Sequence, residues 1–128
     1  MFRIRRIYDT VLPVNRQAIA QVQRILRAQF PALDRKDIRK LPEQLTNPLK
    51  YRFRSILSVA EGERGDVQGF ALLLHAPDIK FCYLEYISAA EKMTGRGIGS
   101  ALYERVRSEA RSLGVIGIFM ECLPDDPA

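Results

Sequence analysis

Leu84-Glu85-Tyr86-Ile87-Ser88-Ala89 and, after a five-residue linker, Gly95-Arg96-Gly97-Ile98-Gly99-Ser100-Ala101-Leu102 form the stretch that decides the fold. An apolar run of strand type leads into three glycines at alternate positions, and a helical pattern follows at once. Glycines there let the backbone turn tightly and let a ligand approach without obstruction by Cβ atoms. The helix behind them aims unpaired N–H groups and the positive end of its dipole at the loop. Together these predict an anion site suited to a phosphate or pyrophosphate, with Arg96 adding a charge-assisted contact. A glycine turn that merely caps the helix is the weaker reading, because all three glycines alternate ahead of one helix. Gly99 is followed by Ser100 and Ala101, which excludes a Gly-Lys-Ser/Thr phosphate loop. The G-x-G-x-G spacing, late in the chain, also excludes a dinucleotide fingerprint.

Working outward, Leu102, Val106, Ala110 and Leu113 make the inward face of a helix over 98–112. Glu104, Arg105, Arg107, Glu109 and Arg111 fall on its exposed face, and Gly114 caps it. Residues 115–123 are apolar almost throughout, as in a strand covered on both faces. Upstream, residues 51–60, 68–75 and 79–89 read as three strands joined by short turns at 61–66 and 76–78, an antiparallel meander. The first third of the chain is a strand over 2–8 and then helices. Asn15 is the predicted cap of the first, with Ile19, Val22, Ile25, Leu26 and Phe30 on one face and Pro31 as its stop. Asp34 caps a second, with Ile38 and Leu41 inward. Pro42 starts another turn, and Asn47-Pro48 closes the helical region. The order β-α-α-β-β-β-α-β is that of an α/β fold, a mixed sheet with helices packed on it.

Composition sets the outer limits. The length, 128 residues, is that of one domain, and an apolar share of 47% is enough to build a core. Charged residues at 27%, with no biased tract or repeat, exclude a disordered chain. A formal charge of +5 favours anionic ligands. The clusters Arg3, Arg5, Arg6 and Lys50, Arg52, Arg54 are too sparse for a nucleic-acid surface and read as solvated faces. Cys82 and Cys122 sit in apolar runs as buried free thiols, and no Cys/His spacing suggests a metal. His75 has no Ser or Cys partner in a nucleophile motif. With no h-region at the N-terminus and no run of transmembrane length, the expectation is a cytoplasmic protein without membrane association.

The run LEYISAAEKMTGRGIGSALYERV, residues 84–106, resembles the fourth strand, pyrophosphate loop and third helix of the GNAT superfamily of N-acetyltransferases. That family's loop, Gln/Arg-x-x-Gly-x-Gly/Ala, falls on Thr94-Gly95-Arg96-Gly97-Ile98-Gly99. Both required glycines match, and Thr94 replaces Gln or Arg. The order of elements agrees from residue 1 to 123. The resemblance implies a GNAT-like, mostly antiparallel mixed sheet with helices on both faces, and acetyl-CoA as co-substrate without a metal. The Thr94–Ser100 loop would hold the pyrophosphate through the amides of Gly95, Arg96, Gly97, Ile98, Gly99 and Ser100. Thr94 implies weakened rather than lost affinity. The backbone of Ile87, Ser88 and Ala89 would pair with the pantetheine arm where the fourth strand splays from the fifth. An amine-bearing acceptor, small molecule or protein, would attack the thioester directly, with a base and an acid supplied by the enzyme.

Glu85 is the candidate base. Flanked by Leu84, Tyr86 and Ile87, its carboxyl is expected to have a raised pKa; a solvated or salt-bridged sheet residue is the equal alternative. Glu121 is the reserve. Tyr86, or Tyr83, would serve as acid, although strand tyrosines commonly serve packing. The family continues beyond the fifth strand, whereas this chain stops at Ala128. The expectation is therefore one domain, 1–128, as the N-terminal piece of a longer protein, with a final strand edge that invites homodimerisation. A non-catalytic acyl-CoA-sensing or interaction module and, further off, a nucleic-acid-binding domain are the alternatives. Acidic residues are sparse along 15–54, which disfavours polyamine and aminoglycoside acceptors.

Overall fold

A computed structural model describes residues 2–76, 78, 80–90, 93 and 95–120, with Leu49 in backbone only. Thr94, Glu121 and Cys122 lie outside the described residues, as does the polar end at 124–128. The elements in order are β1 (Phe2–Ile7), α1 (Pro13–Gln29), α2 (Arg35–Arg39), α3 (Leu41–Thr46), α4 (Pro48–Tyr51), β2 (Arg54–Gly62), β3 (Val67–His75), β4 (Phe81–Ala89), α5 (Ile98–Ser112) and β5 (Gly117–Met120). They build one sheet of order β1-β2-β3-β4-β5. Every pair is antiparallel except β4 with β5, which α5 joins in parallel. The mixed, mostly antiparallel sheet read from the sequence is the one observed.

The helical third departs from the reading in its punctuation. Asn15 does not cap α1. The Asp9 carboxylate accepts the amides of Val11 and Leu12 at 2.9 and 3.0 Å, and Pro13 opens the helix, where its missing N–H costs nothing. Asn15 lies one turn inside, buried, and accepts from the Arg5 guanidinium. Asp34 caps α2 as predicted, accepting from the Lys36 amide. Asn47-Pro48 does not end the helical region. Pro48 starts one further turn, α4, and Asn47 caps it. Arg52, at φ 60°, then swings the chain into the sheet, so β2 begins at Arg54 rather than at residue 51.

Two cores lie on opposite faces of the sheet. Ala18, Ile19, Val22 and Leu26 of α1, with Ile38 and Leu41, pack on Leu57, Val59, Phe70 and Leu72. Ile98, Leu102, Val106 and Ala110 of α5 pack on Ile56, Ala60, Ala71, Leu73, Cys82 and Leu84. Successive residues of β2 and β3 thus point to alternate cores. Cys82 is the buried free thiol expected, and burial raises its thiol pKa.

Two expectations are corrected at the edges of the sheet. β5 is an edge strand, not one covered on both faces: Phe119 is 59% exposed, and Ile116 just before the strand is 72% exposed. At the other edge, Arg5 and Arg6 are not a solvated face. Arg5 makes a two-pronged pair with Glu61 at 2.6 and 3.0 Å, and Arg6 reaches Glu109 at 3.4 Å. Glu109, expected on the exposed face of α5, is held by Arg6 and Arg105 with a side chain only 13% exposed. Among the described residues no helix is long and apolar enough to cross a membrane.

Candidate functional site

The site begins with an irregularity in β4. Leu72 pairs with Tyr86 but Leu73 pairs with Leu84, which leaves Glu85 as an extra residue, a β-bulge. In an unbroken strand Glu85 and Tyr86 would face opposite sides of the sheet. Because the bulge absorbs one step, both line the same pocket under the helical layer. This pocket holds about 310 Å³ and is bordered by Asp37, Lys40, Gln44, Tyr51 and Phe53 as well.

Glu85 sits half-buried in it. Burial pushes its carboxyl above the ordinary carboxylate range, while a hydrogen bond from Gln44 and the charge of Lys40 pull the other way. Gln44 is buried on α3, and its Nε2 donates both to Glu85 Oε1 at 3.3 Å and to Ser55 Oγ of β2 at 3.1 Å. Tyr86 packs edge-on against Phe30, with ring centroids 5.2 Å apart. Burial and then the charge of Glu85 raise its phenol, so it stays protonated through neutral pH. Tyr83 is exposed and does not border the pocket. Of the two tyrosines named as acids, the fold brings only Tyr86 to Glu85.

The glycine loop lies beyond the end of the same strand. Gly95 and Gly97 take φ of 79° and 78°, the left-handed region open to glycine, with Arg96 exposed between them. Gly97 is the N-cap of α5, and the first bond of the helix runs from the Ala101 amide to the Gly97 carbonyl. No side chain caps this end, so the amides of Ile98, Gly99 and Ser100 have no acceptor among the described residues. A Cβ placed at Gly95, Gly97 or Gly99 would meet nothing within 4 Å. The cradle is thus open where a pyrophosphate would lie, and its donors suit that anion. Ile98 anchors it from below, buried against Gly69 of β3. A Cβ on Gly69 would come within 2.7 Å of Ile98 and 2.9 Å of the Ser88 carbonyl.

Ile87, Ser88 and Ala89 pair with Ala71, Phe70 and Gly69 on one side. On the other, pairing of β4 with β5 covers only Phe81 to Leu84 among the described residues. Sequence reading missed Gln44, Ser55, Gly69 and the bulge itself. Gly69 inside an apolar strand was a visible sign of close approach; nothing in the local sequence marks Gln44.

A wider cleft of about 600 Å³ lies beside β1 and the β2–β3 turn, far from these groups. Its half-buried Arg5 pairs with the buried Glu61. Among the described residues no three His, Cys, Asp or Glu side chains stand together as a metal site would require.

Comparison with known proteins agrees with this geometry. The sequence matches the acetyltransferase (GNAT) family over residues 19–128. No curated protein matches the chain in sequence. Among solved structures, Tetrahymena GCN5 superposes with a TM-score of 0.78 at 14% identity, covering 95% of this chain and 70% of that one. An aminoglycoside acetyltransferase, meta-AAC0020, from an uncultured soil metagenomic sample and in complex with sisomicin, gives 0.72 at 19% identity, covering 98% and 80%. AAC(6')-Iy in complex with the bisubstrate analog CoA-S-monomethyl-acetylneamine gives 0.74 at 14%, covering 98% and 82%. These likenesses concern the fold.

Proposed function

The chain belongs to the acetyltransferase (GNAT) family, and from that premise we propose that it moves an acetyl group from acetyl-CoA to an amine by direct attack. The observation that carries the reading is the bulge at Glu85, which turns a carboxylate and a phenol into one pocket. Bound acetyl-CoA supplies the thioester. The open cradle of Gly95–Ser100 holds its pyrophosphate through amides, and the backbone of Ile87, Ser88 and Ala89 receives the arm. Glu85, its carboxyl raised by burial, takes the proton that the amine must lose. The C–N bond forms, the C–S bond breaks, and Tyr86 gives a proton to the departing thiolate.

The acceptor carries one amine rather than several. Asp37 is already paired with Lys40 at 3.0 Å, and the neighbouring Glu43 of α3 with Lys50 at 2.6 Å. Among the described residues this leaves Glu85 as the pocket carboxylate without an ion pair, too little negative charge to hold a polycation.

Calorimetric titration with acetyl-CoA tests the cofactor site. Gly99→Glu is the blocking variant of choice: Gly99 has open space around it and an ordinary φ, whereas Gly97 at φ 78° would be strained by any side chain. Binding by the wild type that vanishes in a folded Gly99→Glu variant is expected; equal binding by both would refute the loop assignment. Binding without transfer to any amine would favour the acyl-CoA-sensing module. In an acceptor screen, mono-amines should outcompete spermidine and sisomicin, and the reverse order would remove the charge argument.

A further inference from the structure

Gln44 is a large polar side chain buried at 6% exposure on a six-residue helix, where packing alone would favour an apolar residue. Its amide spans two strands, giving one N–H to Ser55 on β2 and the other to Glu85 on β4. Ser55 is itself buried, at 8%. The reverse orientation of the amide would set its oxygen against a carboxylate oxygen, so the charge of Glu85 dictates how the amide stands. From this geometry we infer that Gln44 is a positioning residue: it grips Oε1 of Glu85, fixes the carboxylate plane, and leaves Oε2 as the oxygen that faces the acceptor. The inference rests on Glu85 acting as base.

The grip has an electrostatic consequence. An N–H donor favours the ionised carboxylate and opposes the burial that raises Glu85. Other groups face this carboxyl from the packed elements: Asp37 and Lys40 at the α2–α3 corner, Tyr51 from α4, and Tyr86 from its own strand. Lys40 lowers it and Asp37 raises it. Lys40 is committed to Asp37 and nearly half exposed, so solvent screens its charge. Gln44 is the buried neutral donor in direct contact.

The test follows the Glu85 carboxyl directly, by carbon-detected NMR titration, with the resonance identified by its loss in Glu85→Gln. In Gln44→Met, which keeps volume and removes both donors, the midpoint should rise by about one pH unit. The acid limb of kcat/KM, followed by release of the CoA thiol, should move with it, and acetyl-CoA affinity should stay unchanged. Ser55→Ala keeps the grip on Glu85 and should shift the midpoint far less. If Gln44→Met does not fold, Gln44→Asn breaks the contact with less loss of polarity. An unmoved carboxyl midpoint in a folded variant, with Glu85→Gln still slow, overturns the role of Gln44 and leaves the base in place. A midpoint that moves while the rate profile does not overturns Glu85 as base, and the positioning role with it.

Discussion

Glu85 is held where a carboxylate is costly, and that cost can be measured apart from catalysis. Its carboxyl is raised above its ordinary value of 4.5, so the folded chain binds this proton more tightly than the unfolded chain does. Stability therefore falls as pH rises from about 4.5 through the raised folded value, the opposite of a salt-bridged carboxylate. Glu85→Gln removes the titration. The variant should match the wild type near pH 4 and exceed it in melting temperature at pH 7 to 8, while acetyl transfer drops by about 100-fold or more. Equal pH dependence of melting in the two proteins would mean that Glu85 is not held in the protonated direction at all. A site residue whose removal stabilises the fold is the mark of function maintained against stability. The sequence held half of this. The flanking apolar residues predict the raised carboxyl, but they cannot show that Tyr86 turns to the same side, because a bulge depends on which residue of β3 each residue of β4 meets.

At the scale of elements, the loop and α5 were the most legible part of the molecule, and the short helices the least. Glycine spacing and helical period predict α5 over 98–112, and it runs from Ile98 to Ser112. Local backbone chemistry alone sets such a boundary. The start of α1 turns on Asp9 and Pro13 and that of α4 on Pro48, where several residues compete for each capping role and packing on the sheet decides. The expected covering of β5 on both faces failed for a related reason, since an apolar strand reads alike whether covered or exposed. The three loop glycines should separate under substitution. Gly99→Ala meets open space inside a helix and should raise stability by up to about 1 kcal/mol. Gly97→Ala, forced to φ 78°, should lower it by about 1 kcal/mol. Thermal unfolding distinguishes the two. If Gly99→Ala is also destabilised, its surroundings are not as open as the geometry states.

The whole molecule is two cores on one sheet, and its two sides meet across β1. Arg6 extends from this edge strand to Glu109 on α5, which also receives Arg105 at 3.1 Å. One carboxylate thus serves two guanidiniums, and Arg6 Nε is buried without a partner among the described residues. The arrangement predicts an asymmetry. Arg6→Met removes the unpartnered donor and leaves Glu109 paired with Arg105, so its effect on stability should be within about 1 kcal/mol of zero. Glu109→Met leaves two cations facing each other, one of them largely buried, and should cost about 2–4 kcal/mol. For a chain of this size that difference amounts to roughly 5–15 °C in melting temperature. Equal losses from the two variants would show that the arginine contributes through its stem packing rather than its charge. The site would respond only indirectly: α5 carries the amide cradle at its first turn and Glu109 near its last, 11 residues after Ile98. Acetyl-CoA affinity in folded Glu109→Met should therefore stay close to wild type. A marked loss would mean that the ion pair at one end of α5 sets the angle of the cradle at the other.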